Sequence, residues 1–319
     1  MKEYFVKDMR NHSEFIDFFM VKSADIRVGS NQKEYLDFTL SDCSGDISAK
    51  KWDVTADDRD LIEVVKLGAI VKVKAAVNIW QGNPQLKILK IRLSNDSDQL
   101  DLREFIKAAP EKSSDMYAYI EEQAKSMDDE DLKAVTLALL GANKEKLMYY
   151  PAASKNHHAE YGGLLYHMKR MIMSAKVLCQ IYTNLNCDLV VAGVIVHDME
   201  KINEIEANTY GISSGYSMEG QLLGHIVQGV RELDKLCSQL NVPREKALML
   251  EHMILSHHYE PEFGSPKKPM FPEAELLHYL DVLDARMFDM EDALLPVEKG
   301  QFSERIRVLD GRKLYKPTF

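Results

Sequence analysis

The chain has 319 residues, of which 45% are hydrophobic and 28% charged, and it carries a net charge of −10. A chain of this length can form two domains with separate cores. Its acidity argues against a protein that coats nucleic acid without specificity. Residues 1–96 hold equal numbers of acidic and basic side chains, so the acidic excess lies after residue 96.

The sequence also argues against a membrane or secreted protein. No apolar run approaches the roughly 20 residues that cross a bilayer, and the stretch MKEYFVKDMRNHSEF lacks the features of a secretory signal. Four cysteines, Cys43, Cys179, Cys187 and Cys237, show no CxxC spacing and suit a reducing compartment. We therefore expect a cytoplasmic protein without a membrane segment.

Residues 14–93 show the alternation typical of β-strands. In EYLDFTL, the apolar Leu36, Phe38 and Leu40 alternate with more polar neighbours. DISAKKW, AIVKVKAAVNIW and QLKILKIRL continue the pattern, and ADDRDLIEVVKLG between them predicts a short helix that stops at Gly68. Three strands, a helix and two strands is the element order of an OB-fold barrel.

The outward side chains of these strands suggest nucleic-acid binding. OB-folds often bind single strands on strands 2 and 3 and on the loops between strands 1–2 and 4–5. Aromatic rings that could stack on bases, and lysines that could contact phosphates, stand at Tyr35, Lys50, Trp52, Lys72, Lys74 and Trp80. The alternatives are solvated strand faces or an adaptor that binds protein.

From about residue 99 the spacing of apolar residues becomes helical. We predict an OB-fold domain at 1–98, a helical connector at 99–155, a bundle of roughly five helices at 156–295 and a C-terminal tail at 296–319. The fold class is therefore an α+β multidomain protein, in which a five-stranded OB-fold β-barrel precedes an all-α helical bundle.

Nine of the ten histidines lie between residues 157 and 278. His167 lies three residues after Leu164 and four before Met171, so it faces the core. The same spacing turns His225, His257, Asp281 and Asp284 inward, and His197 and Asp198 end the apolar helix LVVAGVIV. Burying so many ionisable groups without a cation is costly. Because imidazole and carboxylate bind Mn, Fe, Zn and similar ions, the sequence predicts a metal site.

The ordered pieces GGLLYH, HDMEK, LLGHI, HMILSHH and LHYLDVLDA resemble the H…HD…H…HH…D signature of HD-domain metal-dependent phosphohydrolases. Nearly the whole chain, including SHHYEPEFGSPKKP and GRKLYKPTF, is similar to the YhaM-type 3′→5′ exoribonucleases, which join an OB-fold to an HD domain. The resemblance implies that residues 156–295 form an HD domain.

The resemblance also implies roles for individual residues. The implied metal ligands are His167, His197, Asp198, His225, His257 and Asp281. Asp198, Lys201 and His258 would be catalytic, with Asp198 bridging two ions, Lys201 neutralising the scissile phosphate and His258 adding a ligand or a phosphate contact. Secondary candidates are His157, His158 and Asp284. By the resemblance the two histidines would lie near the site mouth, and the alternative is that they are residues at the start of a helix with no catalytic part. Lys201 could instead be a solvated lysine, and Glu200, where we expect glycine, could compete for it.

The implied activity is 3′→5′ hydrolysis of single-stranded RNA by metal-activated water. The resemblance implies two divalent ions and favours Mn²⁺ as the metal. Single-stranded DNA is a further candidate substrate, and a homo-oligomer is a candidate assembly. The loop EPEFGSPKKPMFP could line the entrance to the site. The alternatives are an HD-domain nucleotide or cyclic-dinucleotide phosphohydrolase and a non-catalytic nucleic-acid-binding factor.

Overall fold

The computed structural model describes residues 2–9, 14–29, 32–66, 68–80, 82–154 and 158–319. The chain divides into two compact units, Met1–Ala108 and Ala109–Phe319. Residues 109–155, most of the predicted connector, belong to the second unit. None of the helices in the described ranges is long and apolar enough to cross a membrane.

The first unit is a closed five-stranded barrel with the strand order β1-β2-β3-β5-β4. Its elements are β1 (Phe15–Val28), β2 (Glu34–Asp42), β3 (Gly45–Lys51), α1 (Ala56–Val64), β4 (Ile70–Trp80) and β5 (Asn83–Leu93). β3 and β5 pair in parallel, and the other neighbours pair antiparallel. The predicted OB-fold barrel is confirmed.

Alternation along the strands fills the interior of this barrel. The apolar side of β2, predicted from its sequence, is buried, with Leu36, Phe38 and Leu40 nearly inaccessible. Val71 and Val73 of β4 face the same core. α1 begins at a capping box, in which Thr55 and Asp58 bond to each other's backbone N–H groups. The helix ends at Val64 rather than at Gly68.

The second unit is helical apart from one small hairpin. Its elements are α2 (Ser113–Lys125), α3 (Glu130–Leu147), α4 (Gly163–Ile181), α5 (Cys187–Val196), α6 (Lys201–Glu204), β6 (Ile205–Ala207), β7 (Ser213–Tyr216), α7 (Met218–Gln239), α8 (Arg244–Ser256) and α9 (Pro272–Leu294). The predicted bundle is present, but the single-turn α6 and the β6–β7 hairpin were not predicted.

Helix α5 lies at the centre of this unit. Every residue from 189 to 196 is buried, as expected for a helix that is apolar on all sides. It packs against α3, α4, α8 and α9. The Asn186 side chain caps it by accepting a hydrogen bond from the N–H of Leu189. Because α5 is surrounded, the residues that directly follow Val196 lie in the interior.

Helix α7 is broken at Gly224. This residue has φ 68° and ψ 164°, a conformation that glycine adopts without the steric cost of a side chain. His225, the next residue, therefore starts a new helical segment.

The predicted C-terminal tail packs against α9. Isolated β-bridges join Phe302 to Tyr315 and Ile306 to Arg312, and Leu309 between them is fully buried. Arg286 of α9 donates a hydrogen bond of 2.9 Å to Asp310. These contacts place the segment 302–315 on the surface of the helical unit.

Gly163, the first residue of α4, offers a test of how closely the start of this helix packs against the preceding backbone. A Cβ atom added at Gly163 would lie 2.0 Å from the backbone oxygen of His158, so the backbone would have to move. Overpacking of this kind costs about 1–3 kcal/mol or more. We expect Gly163→Ala to lower the free energy of unfolding by at least that amount in urea denaturation followed by circular dichroism.

Gly141 of α3 provides the matched control. A Cβ there meets no atom within 4 Å, and alanine favours a helix over glycine by about 0.8–1 kcal/mol. Gly141→Ala should therefore raise the free energy of unfolding. Equal destabilisation by both substitutions would contradict this description of the α4 start.

Candidate active site

Helices of the second unit bring buried histidines and aspartates together. In chain order these are His167 on α4, His197 and Asp198 after α5, His225 on α7, His257 and the less buried His258 after α8, and Asp281 on α9. Their placement agrees with the inward orientation that helical spacing predicts. Five segments of the chain therefore converge on one cluster.

Asp198 is the centre of the cluster. Its Oδ2 lies 3.3 Å from His197 Nε2 and 3.8 Å from His167 Nε2. Its Oδ1 lies 3.4 Å from His225 Nε2 and 3.8 Å from His257 Nε2. The carboxylate thus stands between two pairs of imidazole rings, with one pair at each oxygen.

These residues form two groups with the spacing of metal ligands. One group is His167, His197 and Asp198, and the other is Asp198, His225, His257 and His258. Within each group the ligand atoms lie within 4.8 Å of one another. Asp281 adjoins the first group, because its Oδ1 lies 3.4 Å from His167 Nε2. Asp198 belongs to both groups.

The far nitrogen of each ring is held by a hydrogen bond. Two of the Nδ1 atoms donate to carboxylates, that of His167 to Asp284 (2.7 Å) and that of His225 to Glu204 (2.9 Å). The other two donate to backbone carbonyls, that of His197 to Val194 (2.8 Å) and that of His257 to Ile254 (2.7 Å). Carbonyl and carboxylate oxygens only accept, so the Nδ1 atoms carry the protons. In a neutral ring this leaves the Nε2 lone pair free to bind a metal.

Several central atoms fit a divalent cation. The Nε2 atoms of His197, His225 and His257 and the Oδ1 of Asp198 are buried and have no hydrogen-bond partner within the described residues. Buried polar atoms without partners are rare and costly. Imidazole nitrogen with carboxylate oxygen is a donor set that suits divalent transition metals. The residues present therefore fit the metal that the sequence predicts.

Neighbouring charges shift the acids and bases of the cluster. Burial alone would raise the pKa of Asp198, but Lys201 and His197 hold it well below its ordinary value. Burial would lower the pKa of His167, whereas Asp281 and Asp284 raise it to about 9. A metal ion at His167 would have to compete with a proton, so metal binding there depends on pH.

Lys201 belongs to the cluster and not to the solvated surface. Its Nζ lies 2.6 Å from Asp198 Oδ2. Burial by itself would lower its pKa, but Asp198 and Asp281 outweigh burial, so the pKa is raised and the ammonium stays charged. The Glu200 carboxylate accepts a hydrogen bond of 2.6 Å from Asn203 Nδ2. The sequence suggested that Glu200 could compete for Lys201. Within the described residues, Glu200 bonds to Asn203 and Lys201 pairs with Asp198.

Asp284 lies behind His167, on the side away from Asp198. Its Oδ2 accepts hydrogen bonds from His167 Nδ1 (2.7 Å) and His158 Nε2 (2.8 Å), and its Oδ1 lies 2.6 Å from Arg170 Nε. His158 is fully buried, so its expected position near the site mouth is wrong. His157 lies outside the described residues.

Two residues that hold the cluster were not predicted. Glu204 fixes the ring of His225 from 21 residues away, and Arg170 holds Asp284 from one turn beyond His167 on α4. The spacing of Arg170 from His167 was a usable signal, whereas nothing in the sequence linked Glu204 to His225.

The other histidines in the described ranges bond to backbone groups. His252 Nε2 accepts from the N–H of Met270 (3.1 Å), and His278 Nδ1 donates to the carbonyl of His257 (2.7 Å). These contacts tie both rings to the backbone. The His258 ring lies 4.1 Å from the His257 ring, and its Nδ1 donates to Phe263 O at 2.6 Å.

A cavity of about 590 Å³ adjoins the cluster, within the usual size range of small-molecule sites. Lys201, His258 and Asp281 of the cluster line it. The rest of its wall is formed by Tyr216, Phe263, Val282, Ala285, Arg286, Asp289 and Val308. Phe263 belongs to the loop EPEFGSPKKPMFP, which was expected near the entrance.

The barrel surface carries an aromatic and basic patch on β2 and β3. The rings of Tyr35 and Trp52 stack with centroids 4.6 Å apart, and Lys50 Nζ lies 5.0 Å and 5.7 Å from them. Trp52 is 44% exposed, so its ring remains accessible. Lys87, which pairs with Lys50 across β3 and β5, adds an exposed basic side chain that was not predicted.

The other predicted contacts of the barrel lie elsewhere. Lys72 and Lys74 are on β4, which pairs with β1 and β5 rather than with β2 or β3. Lys74 forms an ion pair of 3.2 Å with Glu14, and Lys72 lies over the Phe18 ring. Trp80 is exposed at the end of β4. Lys72 and Lys74 therefore lie on a different part of the barrel from Tyr35 and Trp52.

Comparisons with known proteins agree with these two units. A model of the HD domain matches residues 164–286, and a model described as an OB-fold nucleic acid binding domain matches residues 20–94. The 3′-5′ exoribonuclease YhaM of Geobacillus sp. (strain WCH70) is 42% identical over 302 residues, which cover 95% of this chain and 91% of that protein.

Solved structures give weaker likenesses. The mitochondrial single-stranded DNA binding protein Rim1 of S. cerevisiae is 19% identical over 26% of this chain and 96% of that chain, with a TM-score of 0.23. The second OB-fold domain of replication protein A from Methanococcus maripaludis is 21% identical over 32% of this chain and all of that chain (100%), with a TM-score of 0.24.

The fold and the buried cluster define a protein that joins an OB-fold to an HD domain with a divalent-metal site. More closely, the chain belongs to the family of YhaM 3′-5′ exoribonucleases.

Metal binding at Asp198 should be visible in thermal unfolding. A ligand that binds only the folded state at one hundred times its Kd stabilises that state by about 2.7 kcal/mol. We expect Mn²⁺ to raise the unfolding temperature of chelator-treated protein, measured by scanning fluorimetry, and Asp198→Ala to remove that rise. Glu245→Gln, at an exposed acid on α8, should keep it. A full rise in Asp198→Ala would show that the ion binds elsewhere.

Proposed function

We propose that this chain is a metal-dependent 3′→5′ exoribonuclease that hydrolyses the phosphodiester bonds of single-stranded RNA, with single-stranded DNA as a second substrate. The observation that carries the proposal is the buried Asp198 carboxylate, which lies between two pairs of imidazole nitrogens. The activity for which the 42% identical relative is named supports the reaction class.

The cluster is proposed to hold two divalent ions, with Mn²⁺ as the native metal. His167, His197, Asp198 and Asp281 would hold one ion, and Asp198, His225, His257 and His258 the other. The two groups of ligand atoms that share Asp198 support this division. Ions held there would supply activation of water and neutralisation of charge on the phosphate.

The residues around the ligands have separate tasks in this proposal. Lys201 lines the cavity and holds a positive charge, so its ammonium can stabilise negative charge that develops on the phosphate oxygens. Glu204 and Asp284 fix the rings of His225 and His167 in the orientation that presents Nε2 to the cluster. Such outer partners typically change metal affinity or activity by about 10–100-fold when they are removed.

The OB-fold barrel is proposed to bind the single strand through Tyr35, Lys50 and Trp52. The stacked rings offer a platform for bases and the lysine a contact for phosphate. Lys72, Lys74 and Trp80 lie outside this patch, so their proposed contribution is smaller.

Compartment and assembly are further parts of the proposal. The four cysteines are free thiols, as a cytoplasmic protein would have. Met218 and Leu222 of α7 are largely exposed, and a second copy of the chain could cover this apolar area. Light scattering after size exclusion would test self-association.

The first test is digestion of 5′-labelled single-stranded RNA in Mn²⁺. We expect labelled products that shorten step by step, because removal from the 3′ end leaves the label on the remaining strand. His197→Ala with Asp198→Ala should reduce the rate by more than the 10–100-fold typical of outer ligand partners. Glu245→Gln should give the wild-type ladder.

Other results would select the alternatives. Early release of the 5′ label would indicate degradation from the 5′ end, opposite to the proposed direction. Intact RNA with hydrolysis of nucleotides or cyclic dinucleotides would indicate a small-molecule phosphohydrolase. Intact RNA that is bound but never cut, in the presence of each of several divalent metals, would indicate a nucleic-acid-binding factor.

A second test concerns the barrel patch. Stacking on an aromatic side chain contributes about 1–3 kcal/mol per base, so Trp52→Ala should raise the Kd for single-stranded RNA about tenfold or more. Lys50→Ala should reduce the slope of log K against log salt by about 0.7 if this lysine contacts one phosphate. Fluorescence anisotropy in chelator measures both without cleavage.

Lys22 is the matched control for Lys50. It lies in the same barrel, where it pairs with Asp46 at 2.6 Å beside the turn between β2 and β3. Lys22→Ala should leave the salt slope unchanged. Unaltered binding by Trp52→Ala would remove the patch from the proposal.

A further inference from the structure

Two aromatic rings from separate segments line the cavity beside the metal cluster. Tyr216 is the last residue of β7, and Phe263 lies in a 3-10 turn after α8 (Pro261–Phe263). Tyr216 is 49% and Phe263 70% exposed. A single exposed aromatic side chain needs no explanation, but two that share one cavity with Lys201 and His258 do.

The backbones that carry these rings are well fixed. Tyr216 pairs with Ile205 in the β6–β7 hairpin, and the hydroxyl of buried Tyr150 donates a hydrogen bond to the carbonyl of Ile205. The carbonyl of Phe263 accepts the hydrogen bond from His258 Nδ1 at 2.6 Å. The turn that presents the Phe263 ring therefore also orients a residue of the proposed metal set.

The cavity wall combines charged and apolar side chains. Lys201, His258 and Asp281 belong to the cluster that would hold the metal ions. The rest of the wall has the two rings and Val282, Ala285 and Val308, together with the charged Arg286 and Asp289. A nucleotide combines the same two kinds of group, since its phosphate is charged and its base is flat and largely apolar on both faces.

We propose that Tyr216 and Phe263 bind the base of the terminal nucleotide by stacking while its phosphodiester lies at Lys201 and the metal cluster. This inference rests on the proposed exoribonuclease function and names a binding subsite within it. Every nucleobase has a π-face, so stacking tolerates all four bases. The subsite therefore requires that a base be present and does not depend on its identity.

The test compares RNA with a normal 3′ end and the same RNA with an abasic 3′-terminal residue. For the wild-type protein in Mn²⁺, loss of the base should reduce kcat/KM for removal of that residue about tenfold or more. In Tyr216→Ala/Phe263→Ala, the normal end should be cut as slowly as the abasic one, mostly through a higher KM. The ratio between the two substrates should fall to within about twofold.

Two sets of variants serve as controls. Tyr216→Phe and Phe263→Tyr keep the rings, so they should keep a preference for the end that bears a base. Tyr182→Ala removes a similarly exposed ring (54%) at the end of α4, away from the residues that line the cavity, and should retain the wild-type ratio. A melting curve for each variant checks that it is folded.

The possible outcomes distinguish failure of this inference from failure of the proposed exoribonuclease function. If the double variant still prefers the normal end as strongly as wild type, the rings do not bind the base and the inference is overturned. If wild type cuts both ends equally well, no base subsite exists. If wild-type protein leaves all RNA intact with every divalent metal, the proposed function fails first and the subsite fails with it.

Discussion

The buried carboxylate of Asp198 is the constraint on which the helical unit is built. Helix α5 is apolar on every side and lies among α3, α4, α8 and α9, so the residue two positions beyond its end cannot reach water. A buried carboxylate is costly unless charge and hydrogen bonds compensate it. Lys201 and four imidazole rings stand around it, and each comes from a segment whose path the fold must fix. The residues that would bind the metal therefore also constrain how the helices of this unit are arranged.

A second layer of hydrogen bonds orients the histidine rings so that their Nε2 atoms can bind a metal ion. Each ring of the cluster has its Nδ1 proton directed at a carbonyl or carboxylate, which leaves Nε2 facing inward. Two of these acceptors are backbone carbonyls three residues before the histidine they hold, so the end of a helix is enough to position His197 and His257. The other two are the side chains of Glu204 and Asp284, which can be substituted. The two kinds of acceptor divide the cluster into rings fixed by the backbone and rings fixed by side chains.

Periodicity in the sequence predicted the barrel, the bundle and the residues that face inward, because apolar residues at strand or helix spacing must share a face. It could not predict features that depend on contacts between distant segments. The β6–β7 hairpin has strands of three and four residues, too short for alternation to be informative. The break at Gly224 is invisible in an apolar pattern that continues across it. The separation of Lys72 and Lys74 from Tyr35 and Trp52 follows from the closed barrel, which places β4 beside β1 and β5.

The division of the chain into two compact units, each with its own core, has a kinetic consequence for the proposed activity. A strand held by the barrel cannot diffuse away from the unit that cuts it, because both belong to one polypeptide. Linking two binding modules in one chain makes the second binding event intramolecular. The number of nucleotides removed in each encounter would then be set by how slowly the barrel releases the strand. Processivity would be a property of the barrel, and the rate of each cut a property of the helical unit.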